Sequence, residues 1–347
     1  MLGSILSRFG INEEHCSIHP FGSGLINNTW KIADGERNFI LQRINDHVFK
    51  QPENIAHNIR LISNYFQEHF PAYLFTSPVQ TIGGDDLVYD EVHGYFRLFP
   101  FVEASHTVDT VQTPEEAYEA AKQFGKFTKL LSGLDISQLA ITLPDFHNLS
   151  LRYEQFQEAL VHGTKERIAQ SSSSIAFLQE QIGIVKEFES LKKNPGFKTR
   201  VTHHDTKISN ILFDRNNKGL CVIDLDTVMP GYFISDVGDM MRTYLSPVSE
   251  EEKDFSKIEV RDEFFEAIVR GYLHDMNDEL SAIEKNYFVY AGKFLIYMQA
   301  LRFLTDYFNN DVYYGAKYPQ QNFVRANNQI VLLRRLLEKE EQWKMTF

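Results

Sequence analysis

Cysteine is scarce in this sequence, and long apolar runs are absent. Only Cys16 and Cys221 occur among 347 residues, which is too few for a zinc framework or for the disulfide network of a small secreted domain. No run is apolar enough over a sufficient length to span a bilayer, and the first nine residues lack the apolar core of a secretory signal. The expectation is therefore a cytoplasmic protein with no membrane partner.

Basic residues are also in deficit, since 35 Lys and Arg stand against 47 Asp and Glu for a formal net charge of -12. Nucleic acid and anionic membrane surfaces attract basic proteins, so this charge argues against both as partners. No internal repeat is visible. What the chain does have is 43% hydrophobic and 13% aromatic residues over 347 positions, which is enough for two lobes around a large core.

The most informative stretch is HHDTKISN at residues 203–210. Asp205 stands five residues before Asn210, with Lys207 between them. An apolar hairpin follows and ends in Asp224, so folding the hairpin brings Asn210 and Asp224 to one end of a two-stranded ribbon. Asp and Asn are ordinary turn residues, but the whole ordered string favours a site for a hard cation beside a proton acceptor.

This pattern resembles the catalytic core of the protein-kinase-like superfamily, H-x-D-x-K-x-x-N followed by a metal-binding Asp. The histidine-first form with I-D-x-D is similar to the aminoglycoside phosphotransferase and choline kinase family. Within it, HHDTKISNILFD and VIDLDTVMPG look most like the N-acetylhexosamine 1-kinases. The resemblance covers most of the chain. It implies an α+β, protein-kinase-like two-lobe fold, with a small antiparallel-sheet nucleotide-binding lobe at 1–101, a hinge at 99–103 and a mostly helical lobe at 102–347.

The resemblance also implies roles for the residues that match the motif. Asp205 would accept the proton of the attacking hydroxyl or orient it, and Lys207 would neutralise charge on the transferred phosphoryl group. Asn210 and Asp224 would hold Mg²⁺ on the phosphates of ATP. Asp226 is a further metal candidate, with a turn or capping role as its alternative.

In the N-terminal part, FGSGLINNTW at residues 21–30 opens a predicted three-stranded antiparallel meander. Gly22, Ser23 and Gly24 could lay main-chain N–H groups over phosphates, although glycines in hairpins also serve turn geometry. The third strand offers Gln42 and Arg43 where kinases carry a phosphate-binding lysine. Strand alternation lets only one of them face the nucleotide, and we expect Arg43; the alternative is a solvated strand residue.

A helix is predicted from Pro52 to His69, and it carries no mid-helix glutamate for the ion pair of the family. A hairpin over residues 87–99 follows. By resemblance, main-chain groups near Phe99 and Phe101 would bind an adenine edge, and an ordinary strand-to-helix linker is the alternative.

The remainder of the chain is predicted to be mostly helical. Asp236 and Asp239 are expected to cap a helix that begins near residue 235. Arg302 and Asp306 lie one turn apart on a later helix and form either a structural pair or a polar cluster for the hydroxyls and amide of a sugar. His204 is placed toward the acceptor, and Asn322 is expected at the surface or as a cap.

The function predicted from the resemblance is an ATP- and Mg²⁺-dependent small-molecule kinase. Its partners would be a nucleotide and a sugar acceptor, with N-acetylglucosamine or N-acetylgalactosamine giving the 1-phosphate. An aminoglycoside, choline or another amino-alcohol is the alternative acceptor. A nucleotide-binding pseudokinase without turnover is the alternative of a different class, because the third-strand lysine and the helix glutamate are missing.

Overall fold

The computed structural model describes residues 2–22, 26–35 and 37–344. The fold is α+β, with a small antiparallel sheet in the N-terminal part and a helical C-terminal part. The strands are β1 (Cys16–Pro20), β2 (Asn28–Asp34), β3 (Arg37–Arg43), β4 (Val88–Asp90), β5 (Gly94–Pro100), β6 (Arg200–Thr202), β7 (Ile211–Phe213), β8 (Gly219–Val222) and β9 (Met229–Gly231). The helices are α1 (Leu2–Arg8), α2 (Pro52–His69), α3 (Pro114–Leu130), α4 (Leu149–His162), α5 (Lys165–Gln170), α6 (Ser172–Glu180), α7 (Gly183–Lys193), α8 (Phe233–Tyr244), α9 (Asp262–Met276), α10 (Ala282–Lys285), α11 (Phe288–Phe308) and α12 (Gln321–Lys344).

These bounds confirm the predicted meander, the helix from Pro52 to His69 and the two hairpins. The chain divides into two compact units. Unit 1 comprises residues 1–106, 130–144 and 212–230, and unit 2 comprises residues 107–129, 145–211 and 231–347. A single boundary after residue 101 therefore does not describe this division. Among the residues that the structure describes, no helix is both long and apolar enough to cross a membrane.

Unit 1 is built on a five-stranded antiparallel sheet in the order β1-β2-β3-β5-β4. One face of the sheet carries Leu41 and Phe96, which pack with Ile5 and Leu6 of α1 in a buried apolar cluster. Leu41 and Arg43 share one face of β3, and Phe96 and Leu98 share that face on β5. Because side chains alternate along a strand, Gln42 and Arg97 point to the opposite face. That second face carries polar side chains, among them Thr29, Gln42 and Arg97.

Asn58 explains why two later segments of the chain belong to unit 1. It lies on α2 and is fully buried. Its side-chain oxygen accepts from the N–H of Ala140 at 2.8 Å, and its amide donates to the carbonyls of Ala140 at 2.8 Å and Val228 at 3.0 Å. A buried amide with satisfied hydrogen bonds fixes the segments that it contacts. One polar side chain therefore ties residues 130–144 and 212–230 to this helix.

Unit 2 is organised around α11, which packs against α4, α7, α8 and α12. Most of this helix is buried, so its sequence is apolar on nearly every side. At Gly238 of α8, an added Cβ would lie 2.4 Å from the carbonyl oxygen of Ala291. Glycine at that position therefore allows α8 and α11 to approach closely, and α8 in turn carries the two aspartates that contact the loop after β6.

Candidate active site

The loop after β6 places three polar side chains of unit 2 together. The Asn210 amide donates to the main-chain carbonyl of Asp205 at 2.8 Å and to its carboxylate oxygen Oδ2 at 3.1 Å. Lys207 Nζ lies 3.2 Å from the same Oδ2. Asp205 keeps about a quarter of its side chain exposed, at 23%, whereas Asn210 is buried. The arrangement presents one accessible carboxylate beside a cation, held by an amide.

Asp236 holds the main chain just before that carboxylate. Its Oδ2 accepts from the N–H of His203 at 3.1 Å and its Oδ1 from the N–H of His204 at 2.7 Å. Asp236 is fully buried, and burial raises the pKa of its carboxyl to about 7, with the hydrogen bonds from His204 and His203 acting in the opposite direction. The predicted capping role is therefore wrong: α8 begins at Phe233 without a side-chain cap, and Asp236 binds the loop instead.

Asp239 holds the residue that follows. Its Oδ2 accepts from the N–H of Thr206 at 2.8 Å, and its Oδ1 forms an ion pair with Arg242 at 2.8 Å. The Tyr244 hydroxyl donates to the Thr206 carbonyl at 2.5 Å. Burial, with a further contribution from the Asp205 charge, raises the pKa of Asp239 against the opposing effect of Arg242. The loop is thus fixed on both sides of Asp205 by a helix distant in sequence.

The two histidines of the motif have different surroundings. His203 is buried, with its ring edge-on to Phe124 at 5.1 Å between centroids, and its Nδ1 accepts from the N–H of Asp205 at 3.4 Å. His204 is 5% exposed and adopts a left-handed backbone with φ of 67°, which is uncommon for a residue with a Cβ. Its ring lies 6.5 Å from that of Phe146. Whether His204 contacts an acceptor stays a prediction.

In unit 1, the hairpin β7–β8 leads to Asp224, which is also left-handed, with φ of 58°. Two positions further on, Asp226 is buried and both of its oxygens are engaged. Oδ1 forms an ion pair with Arg97 at 2.5 Å and Oδ2 accepts from Asn27 at 2.8 Å. Asp226 is therefore used in a buried ion pair, which disfavours its alternative as a metal ligand.

The register of the sheet decides which third-strand residue faces this pair. Gln42 stands opposite Arg97 on β5 and opposite Thr29 on β2. Arg97 Nε donates to Gln42 at 3.0 Å. Arg43 points to the other face, which it shares with Leu41 of the apolar cluster. The opposite face carries Gln42 with two cations, Arg97 and Lys31. This register disfavours Arg43 as the residue that binds phosphate, and its role toward the nucleotide stays a prediction.

Of the predicted nucleotide-binding residues, Gly22 has a left-handed backbone with φ of 80°, while Ser23 and Gly24 lie outside the described residues. At the predicted hinge, the N–H of Phe101 donates to the Asn38 carbonyl at 2.9 Å. That N–H is therefore engaged within unit 1. The Phe101 ring lies under Lys31 Nζ, 3.8 Å from its centroid. The roles of Phe99 and Phe101 toward adenine stay predictions.

Arg302 and Asp306 lie one turn apart on α11, yet they form no ion pair. The Asp306 oxygens accept from the N–H of Tyr313 at 2.8 Å and of Tyr314 at 2.9 Å, and from Asn322 at 3.1 Å. Asp306 therefore holds the loop after α11. Asn322 is fully buried, so the expectation of a surface or capping role for it is wrong.

The hydrogen bonds of Asn210 decide which of its side-chain atoms is available to a metal ion. Both amide hydrogens of Asn210 are directed at Asp205, so its side-chain oxygen is the atom that remains for a cation. Among residues 2–22, 26–35 and 37–344, no group of three or more His, Cys, Asp or Glu could hold a metal ion. The two predicted ligands, the carboxylate of Asp224 and the amide oxygen of Asn210, are of the kind that suits Mg²⁺. This ion takes few protein ligands and completes its shell with phosphates and water.

Sequence reasoning missed Arg97, Asn27 and the loop-binding role of Asp236. One signal was available, since Arg97 is the single charge within the apolar run YFRLF at residues 95–99, and a charge in a central strand needs a partner. Asn27 and Asp236 gave no comparable signal, because their partners are almost 200 and about 30 residues away.

Solved structures with the same fold come from enzymes that phosphorylate small molecules. A microcompartment-associated aminopropanol kinase matches with a TM-score of 0.65 at 16% identity, over 98% of this chain and 97% of that one. Choline kinase from Cryptosporidium parvum Iowa II matches with a TM-score of 0.60 at 15% identity, over 96% and 92%. Spectinomycin phosphotransferase in complex with ADP and spectinomycin matches with a TM-score of 0.59 at 14% identity, over 98% and 97%. At these identities the likeness concerns the fold.

A family model described as "Phosphotransferase enzyme family" matches residues 17–283. This range contains the loop with Asp205 and Asn210 and the hairpin that ends at Asp224. It also contains the sheet of unit 1 with its Arg97–Asp226 ion pair. The chain belongs to the phosphotransferase enzyme family.

Proposed function

We propose that this protein is an ATP-dependent small-molecule kinase that phosphorylates a sugar hydroxyl, with an N-acetylhexosamine as acceptor and its 1-phosphate as product. The observation that carries the proposal is the arrangement at Asp205, an accessible carboxylate held by Asn210 and paired with Lys207 at 3.2 Å. Catalysis of phosphoryl transfer requires mainly that the protein positions the reactants and stabilises the charge of the transferred group. Asp205 can position the acceptor hydroxyl, and Lys207 can stabilise the phosphoryl charge.

Asp205 is the group that orients the acceptor hydroxyl and takes its proton. Its main-chain position is fixed because the two preceding N–H groups donate to Asp236 and the following one donates to Asp239. A fixed base reduces the entropy lost in reaching a reactive geometry. Lys207, about half exposed at 46%, can move from the Asp205 carboxylate to the charge of the transferred phosphoryl group.

Mg²⁺ and ATP are part of the proposal. The Asn210 side-chain oxygen and Asp224 would hold the metal ion, which supplies electrostatic stabilisation of phosphate charge when bound. A structural relative binds ADP, which supports a nucleotide as phosphoryl donor. Arg97, held by Asp226 and Gln42, is a cation on the sheet face that also carries Lys31. We assign Arg97 the role of positioning that surface for the nucleotide.

The acceptor in this proposal is a sugar, an N-acetylhexosamine. Support comes from the likeness of HHDTKISNILFD and VIDLDTVMPG to the N-acetylhexosamine 1-kinases. Further support comes from Arg302, whose partners among the described residues are the neutral side chains of Gln299 and Tyr313. An aminoglycoside, choline or another amino-alcohol is the alternative, because structural relatives are named for aminopropanol, choline and spectinomycin.

The test is a phosphoryl-transfer assay over N-acetylglucosamine, N-acetylgalactosamine, neutral hexoses, an aminoglycoside and choline, with ATP and Mg²⁺. The expected result is the highest kcat/KM for an N-acetylhexosamine, with phosphate on the anomeric oxygen. A higher kcat/KM for choline or the aminoglycoside would contradict the sugar assignment. An exchange of Asp224 for Asn serves as the internal check on the metal, since it should raise the Mg²⁺ concentration needed for half-maximal turnover.

A nucleotide-binding regulator without turnover is the second candidate. The observation that favours it is the third strand, which carries Gln42 and Arg43 and no lysine, whereas the resemblance to kinases implies a phosphate-binding lysine there. Nucleotide binding without phosphate transfer to any of these acceptors would support that candidate and contradict the kinase proposal.

A further inference from the structure

A cavity of about 420 Å³ opens in unit 2 between α4, α11 and the loop that follows α11. Its wall includes the side chains of Arg152 and Arg302, together with those of Thr305, Asp306, Tyr313 and Tyr314. Two guanidinium groups in the wall of one cavity repel each other unless an anion or an electron-rich oxygen lies between them. The partners that each arginine has within the protein therefore decide what the cavity can bind.

Within residues 2–22, 26–35 and 37–344, no carboxylate pairs with Arg152. Its Nη1 donates to the Gln155 side-chain oxygen at 2.9 Å and its Nη2 to the main-chain carbonyl of Asp145 at 2.7 Å. Its Nε is buried and makes no hydrogen bond. Burial lowers the pKa of Arg152, and the charge of Arg302 lowers it further. A buried donor without an acceptor is costly, so the guanidinium of Arg152 is not fully hydrogen-bonded by the protein.

Arg302 is likewise held by neutral groups. Its Nη1 donates to Gln299 at 3.4 Å and its Nη2 to the Tyr313 hydroxyl at 3.2 Å, and its guanidinium lies 5.6 Å from the Phe146 and Tyr313 ring centroids. Neutral dipoles and ring faces support the position of the cation without cancelling its charge. Among the described residues, neither arginine forms an ion pair.

The acidic residues of the wall do not pair directly with either arginine. Asp306 directs its oxygens to the N–H groups of Tyr313 and Tyr314 and to Asn322. Glu158 is exposed to solvent, where its field is screened. A second donor without a partner, the buried hydroxyl of Thr305, belongs to the same wall. The cavity wall therefore presents two guanidinium groups that no carboxylate of the described residues pairs with directly.

Phe146 connects this cavity with the loop that carries Asp205. Its ring lies 5.6 Å from the Arg302 guanidinium and 6.5 Å from the His204 ring, and His204 directly precedes Asp205 in the chain. A molecule in the cavity would thus lie on the side of unit 2 that holds the proposed base.

We propose that Arg152 and Arg302 form the specificity wall of the acceptor site, which accepts oxygen-rich neutral or anionic groups and discriminates against an ammonium group. This inference rests on the proposed kinase function. It narrows the acceptor to molecules that place an amide, a hydroxyl or a carboxylate, and no ammonium, against the two arginines. It sets this chain apart from kinases of amino-alcohols.

The test compares glucose with glucosamine, which differ in a hydroxyl or an ammonium at one carbon. At about pH 6.5 the amine of glucosamine is protonated. The wild type should then use glucose with a kcat/KM about 30-fold above that of glucosamine. This ratio corresponds to roughly 2 kcal/mol, the order of the repulsion expected between an ammonium group and two guanidinium groups within about 8 Å. Arg152→Gln and Arg302→Gln should each reduce that ratio to within a few-fold of unity, and added salt should reduce it in the wild type. Arg270→Gln, at an exposed arginine of α9 outside the cavity wall, is the matched control and should leave the ratio unchanged.

Binding is measured separately by calorimetry, so that a failure of the kinase proposal can be distinguished. If no phosphate is transferred but glucuronate and N-acetylglucosamine bind the wild type more tightly than glucosamine, and Arg152→Gln removes the difference, the kinase proposal fails and this inference stands. Tighter binding or faster turnover of glucosamine, an unchanged preference in both glutamine variants, or no binding of glucuronate and N-acetylglucosamine would each overturn it.

Discussion

The buried carboxyl of Asp236 predicts an unusual dependence of stability on pH. Burial raises its pKa to about 7 in the folded protein, whereas an unfolded chain leaves an aspartate near its ordinary value of 3.8. The folded state then binds the proton more tightly than the unfolded state. The free energy of unfolding contributed by this group therefore falls as pH rises from about 4 to about 7, and is constant above that range.

The magnitude follows from those two pKa values. Proton linkage gives a loss of about 2–3 kcal/mol in the free energy of unfolding between pH 5 and pH 8. An Asp236→Asn exchange removes the titration but keeps the shape and one acceptor oxygen. The main-chain N–H of His203 or His204 then faces an amide nitrogen, which costs about 1–3 kcal/mol at low pH. The wild type should be more stable at pH 5, and its advantage should shrink by about 2–3 kcal/mol by pH 8.

Urea denaturation of both proteins at pH 5, 6, 7 and 8 measures this difference, because groups that titrate equally in both proteins cancel. Asp135→Asn is the matched control. Asp135 is an exposed cap whose pKa is lowered by hydrogen bonds from Ser137 and Gln138. Its stabilisation disappears only as pH falls through that lowered pKa, so its difference from wild type should be constant from pH 5 to pH 8. A constant difference for Asp236→Asn, or one that grows with pH, would refute the reasoning.

Two further exchanges test the packing around the site. Arg97→Met should lower the free energy of unfolding by about 3–5 kcal/mol because it leaves Asp226 as a buried charge without its partner; denaturant titration should show most of the loss recovered when Asp226→Leu is added, and no recovery would exclude the pair as the cause. Gly231→Ala should lower turnover and cost about 1–3 kcal/mol of stability, since its Cβ would lie 2.4 Å from the His204 ring. Gly183→Ala, whose Cβ would meet nothing within 4 Å, should change stability by less than about 1 kcal/mol, and an equal loss in both alanine variants would contradict the steric explanation.

Local sequence patterns predicted the elements of this fold well. Helix α2 begins at Pro52 and ends at His69 as expected, because its start signal and its apolar spacing are both local. The hairpin between Ile211 and Val222 was predicted for the same reason, from two short apolar runs around a polar turn. Asp205 and Asn210 lie within one local segment, so their contact also followed from spacing.

Contacts set by tertiary structure escaped prediction. Strand alternation established that only one of Gln42 and Arg43 faces the polar side, but the choice depended on the register with β5, which places Gln42 opposite Arg97. An acid in the first turn commonly caps its own helix, which is why the sequence predicts a capping role for Asp236. Its actual partners, His203 and His204, are on a loop that only the folded chain brings near. Spacing left open a pair of Arg302 and Asp306 or a polar cluster for a sugar. In the structure the loop after α11 supplies two donors to Asp306 and Asn322 of α12 supplies a third.

An Asp205→Asn variant tests whether this carboxylate is the base of a phosphoryl transfer. Turnover with ATP and the best acceptor is compared between the wild type and Asp205→Asn, with the nucleotide dissociation constant and the unfolding temperature measured on the same preparations. We expect kcat to fall about 10²–10⁴-fold, with nucleotide affinity and unfolding temperature unchanged. Wild-type turnover in a folded, nucleotide-binding Asp205→Asn variant would contradict it.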